Sequence, residues 1–90
     1  MTATGEQSQA DRGSIFSMVR EHLAAELDVA PEKITDATRF RDDLDADSLD
    51  LYELVMELED TYGIKVSEEE AAQIKTVGEA VDFVAGRIPA

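Results

Sequence analysis

Apolar residues recur with the period of an amphipathic helix near the start of the chain. They fall at i, i+3, i+4, i+8 and i+12 and are Ile15, Met18, Val19, Leu23 and Leu27. Ser14 or Gly13 is the expected N-cap, and Pro31 disfavours continuation beyond residue 28. We therefore predict a first helix that follows a disordered tail of residues 1–12, which are polar, small and aperiodic.

A second helical pattern covers residues 48–62, and it has two apolar sides. On a helical wheel, one side forms a stripe wide enough to face a core. Its members are Leu51, Leu54, Val55, Leu58 and Tyr62. The other side holds Leu49, Tyr52 and Met56, bordered by acidic residues. Since one helix facing one core needs only the first stripe, the second is either loosely packed against a loop or a surface for another molecule. Gly63 is the expected helix end.

Two capping motifs open the last helices. "SEEE" at residues 67–70 and "TVGE" at residues 76–79 each place a hydroxyl three residues before a glutamate, as in a capping box. The first motif predicts a short third helix. The second predicts a fourth helix with a clear apolar face. That face consists of Val77, Ala80, Val81 and Val84.

The remaining segment, residues 28–47, reads as a long connection. Long loops in small domains are usually held by a few buried side chains, and Ile34, Phe40 and Leu44 are the candidates. No segment alternates with the two-residue period of a strand. The predicted fold class is all-α, a four-helix bundle with three main helices, one short helix and a long first loop. The predicted domain spans residues 13–88.

Composition narrows the function classes. The chain has 90 residues, enough for one small domain, and no cysteine, which excludes disulfides and thiolate metal sites. Its net charge of −13, from 21 acidic and 8 basic residues, disfavours nucleic acid and favours basic protein surfaces. No apolar run is long enough to span a membrane, and the first residues lack a secretory signal pattern. We expect a cytoplasmic protein.

Two kinds of site fit the acidic segment around Ser48 poorly. Asp43, Asp45 and Asp47 match the first ligands of an EF-hand loop. However, the required glycine and the bidentate glutamate are replaced by Ser48 and Leu54, so no specific metal site is expected. A catalytic serine is also disfavoured, because the nucleophile-elbow motif is absent.

The only histidine, His22, lies on the first helix and is expected to be a packed or half-exposed helix residue.

Two interpretations of Ser48 then remain. It lies where a helix begins, where backbone N–H groups and the helix dipole stabilise an attached phosphodiester, so it could be an attachment point. It could also simply cap the helix, as Asp47 could. Spacing alone leaves both alternatives open.

The stretch "DLDADSLDLYELVMELEDTYGIKV" resembles the acyl carrier protein family, in which D-S-L heads a helix continued by E-L-V-M-x-L-E. The resemblance extends over about residues 14–86 and includes "ITDATRFRDDL" and "KTVGEAVDFV". It implies an acyl-carrier-like four-helix bundle. It also implies that Ser48 carries a 4′-phosphopantetheine arm, donated from coenzyme A by a separate phosphopantetheinyl transferase. The thiol of the arm would hold acyl groups as thioesters.

The resemblance also assigns roles to the surface of the second helix. Asp47 and Leu49 would frame Ser48 for the transferase, and the stripe of Leu49, Tyr52 and Met56 would be the apolar centre of the partner surface. An acidic rim would meet basic patches on acyltransferases, ketosynthases and other acyl-processing enzymes. The rim consists of Asp50, Glu53, Glu57, Glu59 and Asp60. The chain would be a monomeric, non-catalytic carrier, and part of its core would open to shelter the acyl chain.

The resemblance favours a freestanding carrier of dissociated fatty acid synthesis. A carrier for polyketide or other specialised acyl chemistry is the alternative within the family. An unmodified acidic helical interaction module is the alternative outside it. The chain departs from the common family pattern at four positions, which leaves the partner set open. These are Asp45 in place of glycine, Tyr52 in the second helix, Arg41 beside Phe40, and His22.

Overall fold

The computed structural model describes residues 11–88 and confirms the all-α prediction. Four α-helices follow one another as α1 (Arg12–Leu27), α2 (Ser48–Tyr62), α3 (Glu68–Ala72) and α4 (Val77–Arg87). A short 3₁₀ helix, Pro31–Lys33, interrupts the long loop between α1 and α2. No strand occurs within residues 11–88, and the only β-type pairing there is an isolated bridge between Arg39 and Thr76.

Helix α1 begins earlier than predicted. Its N-cap is Asp11, whose carboxylate accepts a hydrogen bond of 2.9 Å from the backbone N–H of Ser14, so the expected cap at Ser14 or Gly13 was wrong. The sequence offered three acceptable caps in four residues, and propensity alone does not choose among them. Of the predicted tail, residues 1–10 lie outside the described residues, whereas Asp11 and Arg12 belong to the helix.

The predicted apolar faces meet in one core. Helices α1, α2 and α4 and the long loop all contribute buried side chains, among them Phe40 and Ile34, the predicted loop anchors. Leu44, the third predicted loop anchor, is only partly buried against it. The buried residues are Ile15, Val19, Leu23, Ile34, Phe40, Ala46, Leu54, Leu58, Ile64, Val77, Ala80, Val81 and Val84. Because Phe40 is fully enclosed, the loop that leads to Ser48 is held at a defined position.

Backbone hydrogen bonds fix the same loop to the start of α4. The Phe40 N–H donates to the Lys75 carbonyl at 3.0 Å, and the Val77 N–H donates to the Thr38 carbonyl at 2.9 Å. Further along, the Gly78 N–H donates to the Asp36 carbonyl at 2.9 Å. The bonds donated by Val77 and Gly78 satisfy N–H groups at the helix start that have no partner inside the helix.

Arg12 ties α1 to the same region. Its Nε lies 2.7 Å from Asp82 Oδ1 on α4, and its Nη1 lies 3.2 Å from Asp36 Oδ2 on the loop. Hydrogen bonds to these carboxylates raise the pKa of Arg12 and lower the pKa of Asp82. The first residue of α1 therefore joins the loop and the last helix, which explains why the helix extends beyond its apolar stripe.

Candidate functional site

Ser48 is the first residue of α2, and its neighbour Asp47 is the N-cap. The Asp47 carboxylate accepts a hydrogen bond of 3.1 Å from the Asp50 N–H. In return, the Asp50 carboxylate accepts one of 3.0 Å from the Asp47 N–H. These two bonds form a complete capping box. Ser48 is exposed and is not the cap, so its hydroxyl is available for another purpose.

Arg41 is the residue that contacts this hydroxyl. Its Nη2 donates to Ser48 Oγ at 3.3 Å. The hydrogen bond from the Asp50 N–H is the main cause that holds the pKa of Asp47 below its usual value, and the positive charge of Arg41 acts in the same direction. The serine hydroxyl thus lies between a helix N-terminus and a guanidinium, and both favour negative charge at that oxygen.

The turn before Ser48 has an unusual backbone conformation at one residue. Asp45 has a φ of 56°, which lies in the left-handed region. Glycine enters this region without steric cost, and aspartate is one of the residues that tolerate it. The next residue, Ala46, is buried, and its N–H donates to the Phe40 carbonyl at 2.9 Å. The turn that precedes Ser48 is therefore held in place by the core.

A cavity of about 410 Å³ opens beside Ser48 between α2 and α3. Ser48 and Arg41 lie on its lining together with a largely apolar wall. That wall includes Leu51, Val55, Val66, Ala71 and Ala72. Ligand sites commonly combine such an apolar wall with a few polar groups at one side. The cavity can therefore take an apolar chain that starts at the serine.

The second apolar stripe of α2 is exposed, as expected if it is a surface for another molecule rather than a stripe packed against a loop. Leu49 is 64% exposed, and Tyr52 and Met56 are each 54% exposed. They are the only large hydrophobic residues exposed to this degree among the described residues. A contiguous apolar patch with a polar border is typical of an interaction surface.

The five predicted rim residues do not occupy equivalent places. Glu57 and Asp60 are exposed. Asp50 is half-buried in the capping box, and Glu59 Oε2 accepts a 2.8 Å hydrogen bond from the Val66 N–H. Glu59 thus holds the segment before α3 against α2. The pattern of two aspartates three residues apart could have revealed the role of Asp50, whereas the bond of Glu59 depends on a tertiary contact.

Glu53 faces α1 and has an acidic neighbour there. A hydrogen bond with the Glu26 carboxyl and the charge of Glu26 together raise the pKa of Glu53. His22 lies nearby, half-buried, and its Nε2 has no hydrogen-bond partner in the described part of the chain. This position agrees with the prediction that His22 is a packed helix residue.

Two carboxylates of the acidic loop before Ser48 accept hydrogen bonds from backbone N–H groups. Asp43 accepts a 2.8 Å hydrogen bond from the Arg39 N–H, and Asp47 is used as a cap. No group of three or more potential ligands converges among the described residues.

Arg41 is the site residue that sequence reasoning missed, since it was noted only as a departure from the family pattern. Its proximity to Ser48 follows from the turn at residues 41–45, which the apolar pattern does not encode.

The geometry fits a phosphopantetheine group, because an exposed hydroxyl, a cation and an apolar cavity adjoin one another. No helix within residues 11–88 is long and apolar enough to cross a membrane. The family profile "Phosphopantetheine attachment site" matches residues 18–84.

Similarity to individual proteins agrees with this match. An acyl carrier protein of Rubrobacter xylanophilus is 49% identical over 82% of this chain and 91% of its own length. A solved structure of an acyl carrier protein from Enterococcus faecalis superposes with a TM-score of 0.75 at 37% identity. That match covers 84% of this chain and 96% of the other. On these similarities and on the arrangement around Ser48, the chain belongs to the acyl carrier protein family.

Proposed function

We propose that Ser48 is the residue that bears the 4′-phosphopantetheine arm of this acyl carrier protein. One observation carries the assignment. Asp47 and Asp50 complete the helix cap by themselves, and the exposed hydroxyl of Ser48 is left to point at Arg41 and the cavity. A serine used as a cap would instead have its oxygen engaged by the helix backbone.

Attachment replaces the hydrogen of the Ser48 hydroxyl by a phosphoryl group. A bond forms between Ser48 Oγ and the phosphorus that bears pantetheine in coenzyme A, and the pyrophosphate bond of coenzyme A breaks. Adenosine 3′,5′-bisphosphate leaves, and the serine proton passes to the transferase. The bound arm supplies a thiol for thioester formation, which this cysteine-free chain does not itself contain.

The exposed face of α2 is the proposed partner surface. Leu49, Tyr52 and Met56 give it an apolar centre, and Glu57 and Asp60 give it exposed acidic charges. Such charges speed encounter with basic surfaces and orient docking more than they add affinity. That balance suits a carrier that must bind each enzyme briefly, and we assign the chemistry on the acyl chain to those enzymes.

The proposed pathway is dissociated fatty acid biosynthesis, with acyltransferases and ketosynthases among the partners and the carrier acting as a cytoplasmic monomer. The concentration of acidic residues on one helix supports this assignment. Turnover of the loaded carrier by a fatty acid ketosynthase, compared with turnover by a polyketide ketosynthase, distinguishes this pathway from specialised acyl chemistry.

The attachment residue is tested by intact mass. The wild-type chain, incubated with coenzyme A and a phosphopantetheinyl transferase, is expected to gain one phosphopantetheinyl group. Ser48→Ala is expected to gain none. Ser67→Ala is the matched control, because Ser67 also stands at a helix start and lines the same cavity, but it serves as the N-cap of α3. Modification of Ser48→Ala would overturn the assignment.

A further inference from the structure

Arg41 differs in its contacts from the other four arginines in the described part of the chain. Arg12, Arg39 and Arg87 each form ion pairs with carboxylates, and the Arg20 guanidinium lies over the Phe16 ring, 5.4 Å from its centroid. Arg41 forms no ion pair in the described part of the chain, and its guanidinium donates a hydrogen bond to the uncharged Ser48 hydroxyl. The charge of Arg41 acts on Asp47 only without an ion-pair contact, so in a chain with a net charge of −13 this guanidinium can still take a directly bound anion.

The position of Arg41 indicates which anion this is. It is the only basic side chain among the described residues that line the cavity beside Ser48. No lysine or arginine follows it until Lys65. A phosphate joined to Ser48 Oγ would be one covalent bond from an oxygen that Arg41 Nη2 already contacts at 3.3 Å. Its free oxygens would therefore lie within reach of the guanidinium.

We propose that Arg41 binds the phosphodiester of the phosphopantetheine arm and thereby holds the first part of the arm at the mouth of the cavity between α2 and α3. This inference rests on the proposed attachment at Ser48. The planar guanidinium offers several N–H donors to phosphate oxygens, and charge-assisted bonds of this kind are stronger than neutral ones. Arg41 is a binding residue in this account and takes no part in forming the bond to Ser48.

The binding of the phosphodiester by Arg41 is tested by comparing the apo and holo forms of the protein, with loading verified by intact mass. The melting temperature of each form is measured for wild type and for Arg41→Gln. If Arg41 binds the phosphate, the difference between the holo and apo melting temperatures falls by about 1–4 °C in the variant at low salt. In about 1 M NaCl, where charges are screened within about 3 Å, wild type and variant should show the same difference.

Arg39→Gln is the matched control. Arg39 lies two residues away on the same loop, but its guanidinium contacts Asp42 at 3.3 Å and Asp43 at 3.4 Å. Its loss should change the apo and holo forms alike and leave their difference at the wild-type value. Arg41→Lys retains the charge without the planar fork, and it should keep part of the difference at low salt.

A second readout observes the phosphate itself. The ³¹P resonance of the holo protein should shift between wild type and Arg41→Gln at low salt and should not shift in Arg39→Gln. Arg41→Gln could load completely and yet show an unchanged ³¹P resonance and an unchanged difference between the holo and apo melting temperatures. That result would overturn the proposed role of Arg41 and leave the attachment site at Ser48 intact. Failure of the wild-type chain to gain any group would overturn both proposals.

Discussion

Two glycines of α4 provide a test of how closely the long loop packs on this helix. Gly78 is buried in the first turn, where an added Cβ would lie 3.0 Å from the Asp36 carbonyl oxygen and 3.1 Å from Asp36 Cβ. Gly86 is exposed in the last turn, and an added Cβ there would meet nothing within 4 Å. The same substitution, glycine to alanine, should therefore have opposite effects at the two ends of one helix.

The expected magnitudes follow from two opposing contributions. Alanine in place of glycine stabilises a helix interior by roughly 0.5–1 kcal/mol, and at Gly86 this is the only effect. At Gly78, crowding against a backbone oxygen costs about 1–3 kcal/mol and exceeds that gain. We expect Gly86→Ala to raise the melting temperature by about 2–6 °C, and Gly78→Ala to lower it by about 3–10 °C.

Asp36 has little freedom to move away from a Cβ added at Gly78. Asp36 is held by the 2.9 Å hydrogen bond from the Gly78 N–H and by Arg12, whose Nη1 lies 3.2 Å from Asp36 Oδ2. The loop cannot retreat without weakening these contacts. Thermal and urea unfolding of both variants, followed by circular dichroism, measures the effect. If Gly78→Ala were as stable as Gly86→Ala, the close packing of the loop on α4 would be refuted.

Two further predictions concern the surface of α2. The neighbouring Glu26 raises the pKa of Glu53, so the ionised form of Glu53 destabilises the folded state at neutral pH. This destabilisation disappears as the pH falls through the raised pKa towards the ordinary value of about 4.3. Glu53→Gln should therefore increase stability to urea at pH 7 but not at pH 4, and an equal gain at both pH values would refute this cause; Glu57→Gln is the control. Glu57→Lys combined with Asp60→Lys should slow acyl transfer to partner enzymes at low salt and flatten its salt dependence, with unfolding nearly unchanged, because both residues are exposed. Equal transfer rates at low salt would contradict the assigned partner surface.

The sequence predicted those features whose signals are local. Helix α2 has the predicted bounds because a D-S-L start, an apolar stripe and Gly63 each mark a position, and Gly63 has the expected φ of 65°. The second stripe of α2 also followed from helical periodicity alone, whereas its exposure was one of two alternatives that periodicity left open. The N-cap of α1 was missed, because several residues there can cap a helix and only the tertiary contacts of Arg12 distinguish them.

The candidate site was predicted only in part. Ser48 and its acidic surroundings were identified from the motif; spacing alone left capping and attachment open, and the family resemblance implied attachment. The reciprocal bonds of Asp47 and Asp50 assign the capping to Asp47. Arg41 could not be identified from spacing, because its contact with Ser48 depends on the left-handed backbone at Asp45 and on the buried anchor Phe40.

The most direct test of the account is to locate the attached group on the wild-type chain. Trypsin is expected to release residues 42–65 as one fragment, since no lysine or arginine lies between Arg41 and Lys65, and Ser48 is the only serine in it. After incubation with coenzyme A and a phosphopantetheinyl transferase, this fragment should carry one phosphopantetheinyl group, and fragmentation in the mass spectrometer should place it on Ser48. A group found on any other fragment, or on Thr61 or a tyrosine of this one, would contradict the central claim.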